Sequence, residues 1–248
     1  MFILPTYKRA YKLRQFFEMS RDLKLAAPGI VIVNGEDQMG VYGPVLKEVL
    51  PSNWEIAVMK DNVGMIAAIN WFFNQRPNLD WYGVLGDDMV PKTEHYDLKC
   101  LSLLEPFSTI SCMDETADGA WRTAGLNIVS GPLARACGFI YPPCTWHICG
   151  DDWLQTIGPA LGIWRTATDV VISNSGSLTT GKPQDETQQT GYRDFGNQLQ
   201  QYHRWLAEHG GYVMERVRLL MQAQNLLPAE GVSRWRMSNY TPPSPKAD

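Results

Sequence analysis

The sequence lacks any apolar run of about 18 residues, the length that a membrane-spanning helix requires, so no such helix is expected. The opening apolar segment, residues 1–5, is too short for a secretory signal peptide and is followed by charged residues. None of the five cysteines forms a CxxC pair. An odd number of cysteines without a secretion signal favours reduced thiols, and we therefore expect a cytoplasmic protein.

The sequence also lacks an excess of basic residues, since its formal net charge is −4 at pH 7. Proteins that coat nucleic acid are basic, so the net charge argues against this function class, but it does not exclude a local basic groove. Arginines are concentrated after residue 215, at Arg216, Arg218, Arg234 and Arg236. Contacts with nucleic-acid phosphates, if they exist, are expected from this end of the chain.

Histidine is scarce, with four residues that form no cluster. Cys144, His147 and Cys149 are close in sequence and have side chains that bind zinc. A structural zinc site ordinarily has a fourth ligand and a second pair of ligands, which this segment does not supply. Ordinary packed side chains are therefore the favoured interpretation, and zinc is the alternative.

The first 90 residues contain a regular alternation of apolar runs and amphipathic segments. Continuous β-branched runs predict buried strands, and apolar residues at helical spacing predict helices between them. This α/β pattern with short loops predicts a parallel sheet with helices on both faces. The predicted strands are 2–6, 30–33, 54–59 and 81–85, and the predicted helices are 7–25, 41–50 and 62–74.

The second half is less regular, and its polar stretch at residues 173–197 predicts a long loop, which is usually functional or mobile. Strands are predicted at 108–112, 126–130 and 168–172, and helices at 132–137, 150–161 and 199–227. We predict three regions: a main domain over residues 1–190, a helical C-terminal extension over 191–240, and a disordered tail over 241–248.

Two adjacent acids, Asp87 and Asp88, follow Gly86 at the end of the fourth predicted strand. Open α/β sheets bind ligands at the carboxyl ends of their strands. Burying two unpaired carboxylates costs several kcal/mol, so we expect them to face a cation or a cleft. The alternative is a turn with solvated acids, because aspartate is common in turns.

A second acidic pair, Asp151 and Asp152, follows Gly150 at the start of a predicted helix. Two adjacent carboxylates raise one of their pKa values, which suits a general base. The alternative is a helix cap with an exposed second acid, because aspartate is favoured at this position. Trp153 is either part of an acceptor site or part of the core.

Five short motifs occur in an order that resembles one family. They are Pro5-Thr6-Tyr7-Lys8-Arg9, Asn34-Gly35-Glu36-Asp37, Asn62-Val63-Gly64, Leu85-Gly86-Asp87-Asp88 and Gly150-Asp151-Asp152-Trp153. Together they resemble nucleotide-sugar glycosyltransferases of the GT-A fold, similar to the family-2 group and its compact phage-type members, over about residues 1–190. The resemblance implies a Rossmann-like, mixed and mostly parallel sheet flanked by helices, with a C-terminal helical extension.

The resemblance also implies a donor site and a metal. A nucleoside-diphosphate sugar, with a UDP-sugar favoured, would bind Mn²⁺ or Mg²⁺ held by Asp87 and Asp88. The histidine ligand that many such enzymes have after the last strand is missing, and Asn174 or Ser173 is the expected substitute. The remaining donor-binding candidates are Pro5, Thr6, Arg9, Glu36, Asp37, Asn62, Gly64 and, for the diphosphate, Lys182.

In inverting members of this family an acid at a later helix start is the general base, which implies Asp152, with Asp151 as the cap or an acceptor contact. His147, four residues before Asp151, is an acceptor candidate, although a surface or core histidine fits equally. The acceptor is expected to be a glycan or lipid-linked sugar, or a hydroxymethylated base of phage DNA. The host would then be a bacterium or a phage-infected cell.

Two other functions remain open. A nucleotidyltransferase shares the sheet and the paired acids, but residues 5–9 lack the glycine of its first loop. A non-catalytic nucleotide-binding module is the second alternative. The oligomeric state is not predicted.

Overall fold

The computed structural model describes residues 1–115, 126–174, 185–191 and 194–226, which form an eight-stranded sheet covered by helices on both faces. The strand order is β3-β2-β1-β4-β7-β6-β8-β5. The strands are β1 (Phe2–Thr6), β2 (Gly29–Asn34), β3 (Trp54–Met59), β4 (Trp81–Val84), β5 (Met89–Pro91), β6 (Thr109–Asp114), β7 (Asn127–Ser130) and β8 (Trp164–Asn174).

The first four sheet positions are parallel. Strand β1 pairs with β2 on one side and β4 on the other, and β2 pairs with β3. Because parallel strands end at the same edge of a sheet, the residues that follow β1, β2, β3 and β4 converge there. The predicted parallel sheet is confirmed over this part of the chain.

The other half of the sheet is mixed. Strand β7 is antiparallel to both β4 and β6, whereas β6 and β8 are parallel. The apolar run that begins at Trp81 is interrupted after Val84, and its last part becomes β5, which pairs with β8 at the far edge. Strand β8 is also longer than predicted, because its first residues pair with β6 before the segment 168–172 begins.

Helices cover both faces of the sheet. They are α1 (Ala10–Asp22), α2 (Met39–Val49), α3 (Met65–Gln75), α4 (Tyr96–Leu101), α5 (Gly131–Cys137), α6 (Gly150–Leu161), α7 (Glu186–Gly191), α8 (Phe195–Trp205) and α9 (Gly211–Ala223). A 3-10 turn at Glu36–Gln38 precedes α2, and a π-helical turn at Leu206–Gly210 joins α8 to α9. The sequence analysis missed α4 and α7. The prediction of one loop over residues 173–197 was wrong, because β8 extends to Asn174, α7 lies within the stretch and α8 begins at Phe195.

The core has two layers because alternate strand residues face opposite sides of the sheet. Ile3 belongs to the layer under α3, α5 and α6, and its neighbour Leu4 belongs to the layer under α1 and α2. Burial of such side chains supplies the main favourable free energy of folding.

The C-terminal helices belong to the first of these layers. Tyr202 from α8 and Val217 from α9 lie in the same cluster as Ile3 and Trp153, and Trp205 makes an edge-to-face contact with Trp153 at 5.3 Å between ring centroids. The domain boundary at residue 190 stays a prediction, as does the tail, which lies outside the described residues together with Lys182, Arg234 and Arg236.

All five cysteines are free thiols. Among the helices that the structure describes, none is both long and apolar enough to cross a membrane.

Candidate active site

The carboxyl ends of β1 and β4 bring Thr6 and Asp87 into contact. Asp87 is 5% exposed, and its Oδ2 accepts a hydrogen bond of 2.7 Å from the Thr6 hydroxyl. The Thr6 oxygen also lies 2.8 Å from the buried Tyr42 hydroxyl, which extends the network to α2. Asp87 is therefore held in one orientation, because its neighbours are themselves hydrogen-bonded.

Arg9, the residue before α1, supplies the positive charge of the site. Its Nη1 lies 2.9 Å from Asp87 Oδ1 and 3.3 Å from Asp88 Oδ2, and its backbone N–H donates to Tyr42. Burial lowers the pKa of Arg9, but Asp87, Asp185 and Asp88 outweigh this effect and the net pKa is raised. Arg9 is thus a permanently charged, buried counter-ion of the acidic pair.

The two acids differ in their exposure. The side chain of Asp87 is 6% exposed and that of Asp88 is 19% exposed. Burial raises the pKa of Asp87, while Arg9 opposes this shift and the charge of Asp88 adds to it. Asp87 is therefore mainly an anchor for Arg9, and Asp88 is the more exposed of the two acids.

The two carboxylates of the pair could supply two of the oxygen ligands of a hard divalent cation. Both carboxylates converge on one positively charged atom, Arg9 Nη1, and a divalent ion prefers such oxygen ligands. Its other ligands would have to come from water and phosphate. Asn174 lies opposite Met89 in the β5–β8 ladder, so its backbone is near the residue that follows Asp88. Its role as a ligand stays a prediction.

The zinc alternative gains no support from the described residues, in which no three His, Cys, Asp or Glu side chains form a group suited to a metal ion. Cys149 is buried, and burial raises the pKa of its thiol, which opposes the thiolate that zinc requires.

The loop after β3 carries two of the predicted donor residues. The Asn62 side chain accepts the Gly64 N–H at 3.1 Å, and Asn34, the last residue of β2, accepts the Val63 N–H at 2.9 Å. Gly64 has φ 84° and directly precedes α3. The loop is therefore fixed at the carboxyl edge of the sheet by a buried asparagine that the sequence analysis did not identify as an anchor.

The other predicted nucleoside residues lie at the same edge. Glu36 and Asp37 are exposed in the 3-10 turn after β2, where the Asp37 carboxylate accepts a 2.6 Å hydrogen bond from Gln38. Pro5 lies in β1 opposite Ile32. Contact of these residues with a nucleoside stays a prediction.

A distant segment closes over Arg9. Asp185 Oδ1 accepts hydrogen bonds of 2.8 and 3.2 Å from the Arg9 guanidinium, and Asp185 Oδ2 lies 3.2 Å from the Lys12 ammonium. The Thr187 hydroxyl donates to the Tyr7 carbonyl at 2.6 Å. We call residues 185–187, with these contacts, the Asp185 strap. The strap covers the Arg9 guanidinium.

The second acidic pair lies in the first turn of α6. The N-cap position is Cys149, with φ 68° and no side-chain cap, so the prediction that an aspartate caps this helix was wrong. Asp152 is exposed in this first turn, although the surrounding protein partly desolvates its carboxylate. This partial burial, followed by the charge of Asp151, raises the pKa of Asp152 to about 6, against the opposing effect of Cys149.

The two acidic pairs are linked by the loop that precedes α6. Burial and Arg9 lower the pKa of His147, while Asp88 and Asp151 oppose the shift, so charges from both pairs act on His147. The preceding residue, Trp146, is 42% exposed and packs on Gly64, where an added Cβ would lie 2.7 Å from the Trp146 ring. The loop therefore packs against the predicted donor loop at residues 62–64 and against the start of α3.

The sequence analysis gave no individual role to some residues of the site. Their importance comes from contacts with residues that are far away along the chain, as in the 176-residue separation of Arg9 and Asp185. The residues that were missed are Asn34, Tyr42, Trp146, Asp185 and Gln198.

The sheet order and the acids at its carboxyl edge define a class of fold, and comparison with solved structures confirms that it is the GT-A fold of nucleotide-sugar glycosyltransferases. The chain is similar to the mannosyltransferase PcManGT from Pyrobaculum calidifontis in complex with GDP-Man and Mn²⁺, with a TM-score of 0.57 and 13% identity over 93% of this chain and 76% of that chain.

Two further structures support the same fold. S. aureus TarS 1-349 gives a TM-score of 0.53 and 12% identity over 72% of this chain and 61% of that chain. Glucosyl-3-phosphoglycerate synthase from Mycobacterium tuberculosis, in complex with Mn²⁺, UDP and glucosyl-3-phosphoglycerate, gives 0.51 and 12% over 73% of this chain and 74% of that chain. No protein-family model and no curated protein matches the sequence.

Proposed function

We propose that this chain is a divalent-metal-dependent glycosyltransferase that moves a sugar from a nucleoside-diphosphate sugar to a hydroxyl group, with inversion at the anomeric carbon. One observation carries the proposal. In a GT-A fold, one pair of acids lies on a buried arginine, a second pair includes Asp152 with its raised pKa, and charges from both pairs act on His147.

The first pair is suited to the donor. Asp88 is the more exposed acid and Asp87 is fixed by Arg9 and Thr6, so a Mn²⁺ or Mg²⁺ ion would be held mainly by Asp88. When bound, such an ion neutralises charge on the departing diphosphate. Arg9 would orient the donor at the same edge, together with the loop that holds Asn62.

The second pair is suited to the acceptor. The Asp152 carboxylate takes the proton of the acceptor hydroxyl as that oxygen forms a bond to the anomeric carbon. The bond from the anomeric carbon to the diphosphate oxygen breaks, and its electron pair leaves with the nucleoside diphosphate. A pKa of about 6 suits this role, because the carboxylate is mostly ionised at pH 7 yet is basic enough to accept a proton.

The identity of the substrates is proposed at a coarser level. A UDP-sugar is the favoured donor, although the similar mannosyltransferase carries GDP-Man in its structure. The acceptor is a glycan, a lipid-linked sugar or a hydroxymethylated base of phage DNA, and the location is the cytoplasm of a bacterium or an infected host cell. The acidic formal charge of −4 disfavours DNA among these acceptors.

The proposal is tested by thermal unfolding with a panel of nucleotide sugars, each with and without Mn²⁺. A ligand at one hundred times its dissociation constant stabilises the native state by about 2.7 kcal/mol. We expect this for at least one donor with Mn²⁺, and not for Asp88→Asn. If no nucleotide sugar stabilises the wild-type protein, the proposal is wrong.

The products separate the proposal from its alternatives. A glycosyltransferase without an acceptor slowly releases free sugar and a nucleoside diphosphate. A nucleotidyltransferase instead forms pyrophosphate from a sugar phosphate and a nucleoside triphosphate. Donor binding without either product would favour a non-catalytic binding module.

A further inference from the structure

Gln198, at the end of the first turn of α8, makes an unusual contact with the loop that precedes α6. Gln198 as a whole is only 6% exposed. The Oε1 atom accepts hydrogen bonds from three successive backbone N–H groups, those of Trp146 at 3.2 Å, His147 at 3.0 Å and Ile148 at 3.5 Å. One amide oxygen thus accepts hydrogen bonds from three consecutive residues of the loop.

These three N–H groups belong to no helix or strand, so the loop has no regular partner for them. Successive N–H groups that point into one concavity require an acceptor at its centre, and buried donors are rarely left without one. A side-chain amide oxygen is neutral and therefore meets this need without placing a further negative charge beside Asp88 and Asp151.

The same loop is held from its other side. The Trp146 carbonyl accepts the Ile66 N–H at 3.3 Å, at the start of α3, and the Trp146 ring packs on Gly64. Beyond Ile148 the chain enters α6 through Cys149, whose φ is 68°. The loop therefore connects the donor edge of the sheet to the helix that carries Asp151 and Asp152.

We propose that Gln198 is a positioning residue, which holds the loop 146–148 and thereby fixes the start of α6, where Asp151 and Asp152 lie, relative to the donor edge of the sheet. The helical extension is then part of the catalytic apparatus, and its removal would disarrange the site without touching the donor residues. The role rests on the proposed function, since the loop matters for turnover only if the two acidic pairs act on one substrate pair.

The test uses the full chain and compares Gln198→Leu, which removes the acceptor oxygen, with Gln198→Glu, which keeps an acceptor. Gln201→Leu is the matched control, because Gln201 is exposed on the same helix. We expect amide exchange of residues 146–148 to be at least ten times faster in Gln198→Leu, and unchanged in the control. We expect Gln198→Glu to restore much of this protection.

Turnover is measured as release of nucleoside diphosphate, beside donor affinity with Mn²⁺. In Gln198→Leu we expect turnover to fall about tenfold while donor affinity changes less than twofold. If Gln198→Leu does not fold, Gln198→Asn, which withdraws the oxygen by one methylene group, takes its place with the same expected direction.

Unchanged amide exchange would overturn the proposed contact. Faster exchange with unchanged turnover would overturn its catalytic importance. If the wild-type protein binds no nucleotide at all, the proposed function and the catalytic role both fail, whereas the exchange of the three amides still decides whether Gln198 holds the loop.

Discussion

The Asp87–Asp88 pair and the Asp151–Asp152 pair have the same local sequence, a glycine followed by two aspartates, but different surroundings. Arg9 lies within 3.3 Å of both members of the first pair. Asp152, by contrast, has no ion pair among the residues that the structure describes, and its pKa is raised to about 6.

This difference shows that the environment, and not the dipeptide, determines what two adjacent acids can do. A pair that shares a buried cation is prepared to hold positive charge. A pair in which Asp152 has no such cation among the described residues, placed at a helix start, is prepared to take up a proton. The three predictions that follow test this division of roles, from the largest expected effect to the smallest.

Asp152→Asn should lower turnover by about 10²–10⁴-fold, because the amide cannot accept the acceptor proton. Donor affinity, measured by calorimetry with Mn²⁺, should stay unchanged, since the base acts only on the chemical step. Asp151→Asn is the matched control and should retain most of the activity. If Asp151→Asn loses turnover while Asp152→Asn keeps it, the two roles are exchanged.

Asp87→Asn should destabilise the fold by about 3 kcal/mol, because removing one partner of a buried ion pair leaves the Arg9 charge undercompensated. Asp88→Asn should cost less than about 1 kcal/mol, since its side chain is 19% exposed and its contact with Arg9 is longer. Urea unfolding measures both values. Equal destabilisation by the two substitutions would contradict the division between anchor and ligand.

The pH dependence of kcat/KM should show an acid limb at about pH 6, with a tenfold loss per unit below it. The sign follows from Asp152, whose raised pKa means that protonation inactivates the base as the pH falls. In Asp151→Asn the limb should move to lower pH, because the charge of Asp151 contributes to the raised pKa of Asp152. A limb that stays in place would show that another group controls it.

Much of the fold could be predicted because its pattern is local. Strand β3 (Trp54–Met59) and helix α6 (Gly150–Leu161) were predicted to the residue, since turn residues bound both of them. Strand β5 was missed, because its pairing with β8 joins segments more than 80 residues apart along the chain, beyond the reach of any local pattern.

The candidate site likewise contains residues that could be predicted from the sequence and residues that could not. Asp87, Asp88 and Asp152 could be found because acids at element ends are visible in the sequence. Asp185 and Gln198 lie in or near a polar stretch that resembles any surface loop, and only their long-range partners reveal their importance. Contacts of this kind depend on the completed fold.

The Asp185 strap has a consequence for how the chain folds during synthesis. A nascent chain of roughly half length already contains Arg9, Asp87 and Asp88, so that the first sheet strands can form with their internal ion pair. Asp185 is translated 176 residues after Arg9 and can join the pair only when all eight described sheet strands have been made. Since contacts of large sequence separation form slowly, closure over Arg9 should be among the last events of folding.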